Sequence, residues 1–124
     1  MVEEARKYLQ DIMAQVNGLY CILITDIDGV PLVKVSSDKT PEHATRPNFI
    51  STFRLAIDQG SKLGLGKTNT LICCYSQYQV VQMNKLPLIV SFVASDSCTT
   101  GHILALESQL DPIIEQLALV VGEA

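Results

Sequence analysis

No apolar run in this chain reaches the roughly 18 residues needed to span a bilayer. The start lacks the basic, apolar and small-residue succession of a secretory signal, so no signal peptide is expected. Met-Val at one end and Gly-Glu-Ala at the other carry neither a myristoylation nor a prenylation motif. Work on a membrane would therefore need an anchor supplied by another chain. Basic residues are also few: 9 Lys and Arg stand against 13 Asp and Glu, for a net charge of −4. They are scattered, and no basic stripe is available to neutralise a nucleic-acid backbone. The four cysteines, Cys21, Cys73, Cys74 and Cys98, form no C-x-x-C pair, and His43 and His102 lie far from any of the adjacent cysteines. That spacing gives zinc no ligand set. The thiols read instead as buried or interface groups in a reducing compartment, where cysteine behaves as a small hydrophobe.

What is present is apolar: 48% of the 124 residues are hydrophobic and 18% charged, enough to fold around one core. One domain over residues 1–124 is expected. Residues 2 to 16 place Val2, Ala5, Tyr8, Leu9, Ile12, Met13 and Val16 on one helical face, and Asn17-Gly18 supplies the stop. "LYCILIT" and "VPLVKVS" follow as two strands joined by Asp-Ile-Asp-Gly, the pattern of a hairpin. After a polar loop, a helix is expected over residues 47–64, with Thr45 as its cap and Pro47 in its first turn. Three further runs, "NTLICCYS", "YQVVQMN" and "PLIVSFVAS", read as a meander with turns at Ser76-Gln77 and Lys85-Leu86. A last helix spans about residues 100 to 121, and Pro112 should bend or break it. The order predicts an α+β fold, α-β-β-α-β-β-β-α, with five mostly antiparallel strands in one sheet and helices on both faces.

Several motifs look catalytic. "CILITDIDGV" resembles the strand of aspartate-nucleophile phosphatases, with Asp26 and Asp28 spaced to hold magnesium and a phosphoryl group. That chemistry needs further carboxylates, a lysine and a parallel sheet, whereas a strand follows Gly29 at once. A calcium loop counted from Asp26 would put Val30, Leu32 and Lys34 in ligand slots and Ser37 where a glutamate belongs. "GSKLGLGKTNT" ends like a phosphate-binding loop, but Ser61 occupies the first glycine position. The segment also leaves a helix to enter a strand, the reverse of what the motif requires. Gly64 and Gly66 are better read as cap and turn residues. No G-x-S-x-G spacing supports a serine hydrolase. No catalytic residue, metal or cofactor is implied.

The strand "LICCY" is continuously apolar, so both of its faces want cover. At a sheet edge, its unpaired backbone groups would want a partner as well. In the centre of the sheet, the same run would be satisfied within the chain, and periodicity does not decide between the two. Ala56, Gly60, Ser61 and Gly64 form a small-residue stripe on the preceding helix. Tyr75 and Tyr78, flanking the turn, read as cross-strand packing or interface residues.

This order of elements resembles the roadblock (dynein light chain) domain family. Within it, "RPNFISTF", "DQGSKLGL", "YQVVQMN", "LPLIVSFVAS" and "TDIDGVPLVKV" are similar to the MEK-partner scaffold subunits of Ragulator complexes. The resemblance implies a non-enzymatic adaptor that heterodimerises with a second roadblock-domain subunit through its central helix and the next strand. It further implies attachment to late endosomes or lysosomes through a lipid-anchored Ragulator subunit. Rag GTPases in mTOR signalling and the MEK and ERK kinases are the implied clients. Carried onto this chain, the interface comprises Phe49, Phe53, Ile57, Gly60, Ser61 and Gly64 on the helix. Leu71, Ile72, Cys73, Cys74 and Tyr75 supply the strand. Two other readings stand beside it: a free-standing roadblock homodimer regulating a small GTPase, and a phosphohydrolase using Asp26 and Asp28.

Overall fold

The structure, a computed structural model, describes residues 2–26, 29–37, 55, 59, 62–64, 69–85 and 87–122. Helix α1 (Val2–Ala14) is followed by strands β1 (Leu19–Asp26), β2 (Pro31–Ser36), β3 (Thr70–Cys74), β4 (Tyr78–Lys85) and β5 (Leu88–Ser95), then by helices α2 (Thr100–Ala105) and α3 (Glu107–Gly122). The strands form one sheet in the order β2-β1-β5-β4-β3, with every neighbouring pair antiparallel. This is the expected α+β arrangement.

Alternation along the strands separates two layers. On one face Ile22, Ile24, Val81, Met83, Val90 and Phe92 pack against Ala5, Leu9 and Ile12 of α1 and Ile103, Leu110 and Leu117 of α2 and α3. A register shift between Leu19 and Cys21 in the β1–β5 pairing inserts one extra residue, so Leu19 and Ile22 reach the same core despite odd spacing. The opposite face carries a second buried group, Cys21, Leu23, Val80 and Val93, beside Tyr78. The described helices cover the first face. The helix expected over residues 47–64 lies almost wholly outside the described residues, with Leu55 and Gln59 helical and residues 62–64 in a turn.

Of the expected stripe, Ala5, Leu9, Ile12 and Val16 are buried and Met13 partly so. Tyr8 is 37% exposed because its hydroxyl reaches out to donate to the Gln109 carbonyl at 2.6 Å. The helix closes in a turn at Gly18, φ +88°. A Cβ at Gly18 would lie 3.3 Å from the Cys98 Cβ, so glycine permits both the backbone twist and the close approach. Two expectations shift. The last two strands turn between Lys85 and Leu88, which pair with each other, so Lys85 belongs to the ladder rather than to the turn. Pro87, having no N–H to donate, stays out of that ladder. The closing helix breaks at Leu106, where the Leu106 N–H bonds the Ile103 carbonyl at 3.1 Å, and not at Pro112. Pro112 is the sixth residue of α3, where its missing N–H forfeits the helical bond to the Ser108 carbonyl without ending the helix.

One buried amide fastens the sheet to the helical layer. Gln79 Nε2 donates to the carbonyls of Ser95 (3.0 Å) and Cys98 (2.7 Å), and its Oε1 accepts from Thr100 Oγ1 at 2.6 Å. A polar side chain in an apolar strand is tolerated because each of its groups is satisfied.

Candidate interaction surface

Strand β3 lies at the edge of the sheet, which resolves the alternatives its sequence left open. It pairs with β4 alone, in the register Thr70↔Met83, Ile72↔Val81 and Cys74↔Gln79. The Tyr75 N–H bonds the Tyr78 carbonyl at 2.8 Å and the Asn84 N–H bonds the Asn69 carbonyl at 2.7 Å. Antiparallel alternation then turns the N–H groups of Thr70, Ile72 and Cys74 to the outer side, where they meet no strand among the described residues.

The side chains of this edge are apolar yet uncovered. Ile72 is 44% exposed and Cys74 is exposed, on the face that carries α3; Leu71 and Cys73, half-buried, point to the opposite face. On that face Tyr75, also 44% exposed, stacks on Tyr78 with ring centroids 5.1 Å apart. Partial burial, then the neighbouring Cys73 and Tyr78, raise the Tyr75 phenol above its usual value. The shift follows from side chains two apart on one strand face. The edge thus combines outward backbone donors that meet no strand among the described residues with a paired aromatic platform and no charged residue between Thr70 and Cys74.

Of the interface residues expected from the sequence, Leu71, Ile72, Cys73, Cys74 and Tyr75 come together on this edge. Gly64 lies in an exposed turn with φ +73°. Phe49, Phe53, Ile57, Gly60 and Ser61 lie outside the described residues. All four cysteines are free thiols. Burial pushes the Cys21 thiol up to about 11, offset in part by the charge of Lys34.

The residues that resembled a phosphatase site build a turn. Asp26 Oδ1 accepts the Val30 N–H at 3.0 Å, its backbone carbonyl accepts the Gly29 N–H at 3.1 Å, and Gly29 has φ +90°. Asp28 lies outside the described residues. With every described strand pair antiparallel, the sheet does not provide the parallel strand ends on which such phosphatases assemble carboxylates. Two features escaped the sequence reading. Gln79 was signalled by its polarity within "YQVVQM". The ion-paired Lys85, which reaches Glu107 at 2.6 Å and Asp111 at 3.2 Å, was foreshadowed only by the fourfold spacing of the two acids.

Residues 3–121 match the family described as mitogen-activated protein kinase kinase 1 interacting. The Ragulator complex protein LAMTOR3 homolog of Drosophila melanogaster is 55% identical over 124 residues, covering 100% of both chains. The Ragulator complex protein LAMTOR3 of Homo sapiens is 53% identical over 121 residues, covering 98% of each chain. Among solved structures, a Roadblock/LC7 domain from Streptomyces avermitilis superposes with a TM-score of 0.70 at 9% identity, covering 89% of this chain and 97% of that one. At that identity the likeness concerns the fold, which is roadblock-like. The sequence match is of another order: this chain belongs to the mitogen-activated protein kinase kinase 1 interacting family, together with the Ragulator LAMTOR3 proteins.

Proposed function

We propose that residues 1–124 form one roadblock-like domain acting as a non-enzymatic scaffold subunit that heterodimerises with a second roadblock-like chain. In this reading β3 adds to the partner's edge strand, and the helix of residues 47–64 docks beside it through Phe49, Phe53, Ile57, Gly60 and Ser61. The observation that carries the proposal is β3 itself, whose outer edge meets no strand among the described residues and whose Ile72 and Cys74 are exposed. A sheet continued across two chains would satisfy the outward backbone groups and cover the apolar side chains together.

The relatives' names support placing the pair in a Ragulator-type assembly, and the family's name supports a mitogen-activated protein kinase kinase as client. We assign the assembly to the cytoplasmic face of late endosomes or lysosomes, held by a lipid-anchored subunit. There it would serve MEK and ERK signalling and Rag GTPases upstream of mTOR. No helix among the described residues is long and apolar enough to cross a membrane, which suits attachment through a partner.

Co-expression with a second roadblock subunit, followed by size exclusion with light scattering, tests the pairing. A one-to-one complex abolished by Cys73→Asp supports it, and undiminished pairing in that variant overturns it. The same exposed edge would also fit a second copy of this chain. A stable homodimer that ignores the second subunit would favour a free-standing GTPase regulator.

A further inference from the structure

Gln79 stands between the pairing edge and the helical layer. In the sheet it lies opposite Cys74 of β3 on one side and Ala94 of β5 on the other. The Tyr75 N–H bonds the Tyr78 carbonyl, so the next rung, Cys74↔Gln79, is a non-hydrogen-bonded pair. Side chains of such a pair stand close, with Cβ atoms about 5 Å apart on one face of the sheet. On that face Gln79 is 4% exposed, and its amide bonds to the end of β5 and the start of α2. Nε2 donates to the carbonyls of Ser95 and Cys98, and Oε1 accepts from the hydroxyl of Thr100, the first residue of α2. The two ends of a primary amide are alike in shape and opposite in hydrogen-bonding sense. The Thr100 proton therefore fixes which end faces which partner, and holds the side chain in one orientation. β3 itself gains little from burial, since Leu71 and Cys73 are half-buried and Ile72 and Cys74 exposed. Among the described residues it is joined to the sheet through β4 alone.

We propose that Thr100, acting through Gln79, is a positioning residue for the pairing edge. Its hydroxyl holds the turn end of the β3–β4 hairpin in register for a second chain. The inference rests on the proposed pairing through β3. An edge hairpin with little buried surface opens at low cost, ahead of the rest of the fold. What anchors the start of β4 then decides how much of the chain presents an ordered edge, and a partner that needs that edge binds in proportion. Without the Thr100 proton, Gln79 Oε1 is left buried and unpaired, and the anchor loses its preferred orientation. The same linkage runs in reverse. A partner that orders β3 as far as Cys74 also favours the Gln79–Thr100 bond, and with it the first turn of α2.

The test compares Thr100→Val, which keeps the outline of the side chain and removes the donor, with Thr100→Ser, which keeps the donor. Amide exchange of the separate full chain and titration with a second roadblock subunit are read for each. In Thr100→Val the Tyr75 amide, which bonds to β4, should exchange about fivefold faster. Pairing should weaken about threefold, because less of the chain is competent to pair. Thr100→Ser should match the parent chain in both measurements. A bond that serves global stability alone would speed exchange at the fully buried Ile22 and leave Tyr75 unchanged, and that result would overturn the proposal. So would undiminished pairing in Thr100→Val, or a loss of equal size in Thr100→Ser. A parent chain that pairs with no second subunit would overturn the pairing reading itself. That failure is told apart from failure of the anchor by Tyr75 exchange, which needs no partner.

Discussion

The two edges of the sheet are built on opposite plans. β2 begins with Pro31, which has no N–H to offer, and its register against β1 shifts between Ile24 and Thr25. It exposes Lys34 while burying Val33 and Val35. Proline, an irregular register and an outward lysine all discourage another strand from adding to an edge. β3 has none of these devices between Thr70 and Cys74, and it exposes Ile72 instead. An edge without protection is a liability in a monomer and an asset in a chain that pairs. In the proposed pairing, the fold protects one edge of the sheet and offers the other to a second chain.

Giving β3 the protection that β2 has should produce the largest effect. Ile72→Lys, read by titration of a second roadblock subunit, is expected to cost at least about 2 kcal/mol of pairing energy, roughly a 30-fold loss. The folded chain alone should be almost unaffected, because Ile72 is half exposed.

The thiols report on the two sides separately. Cys21 is fully buried and pairs with Ser36 of β2 and Val93 of β5, whereas Cys74 is exposed on β3. Cys74 should react readily with a thiol reagent at pH 8, and Cys21 only on unfolding. Burial raises the Cys21 thiol from 9.0 to about 11. The folded chain therefore keeps its proton where the unfolded chain has lost it. Stability from this group is fully present below pH 9 and is lost as pH rises toward about 11. Denaturant unfolding should show that decline, and Cys21→Ala should lack it.

A smaller gain is expected beside the β2 edge. The Thr25 hydroxyl is buried without a hydrogen-bond partner among the described residues, at the register shift opposite Pro31. Thr25→Val removes the unsatisfied group and should raise the unfolding free energy by about 1 kcal/mol. The smallest change in stability should follow Lys34→Ile, within about 0.5 kcal/mol for an exposed position. Its effect is expected in sedimentation, as new self-association through the unguarded β2 edge.

Most of the fold was legible because local patterns and burial agree. The α1 stripe, the Asp-Gly turn before β2 and the alternating valines of β2 each specify one arrangement. The joint at Leu106 was not legible, because a leucine that is buried in the core carries no breaker chemistry of its own. The position of β3 was also hidden. A run such as "LICC" is apolar whether its second face meets its own chain or another, so only the strand order could place it at the edge. The ion pairs of Glu107 and Asp111 on α3 depended on the tertiary position of Lys85.

Hydrogen exchange at single β3 amides tests the central claim most directly. In a complex with a second roadblock subunit, the outward N–H groups of Ile72 and Cys74 should exchange far more slowly than in the separate chain. Leu71 and Cys73, which face β4, should be protected in both. Ile72 and Cys74 exchanging equally fast with and without the bound subunit would contradict pairing through this edge.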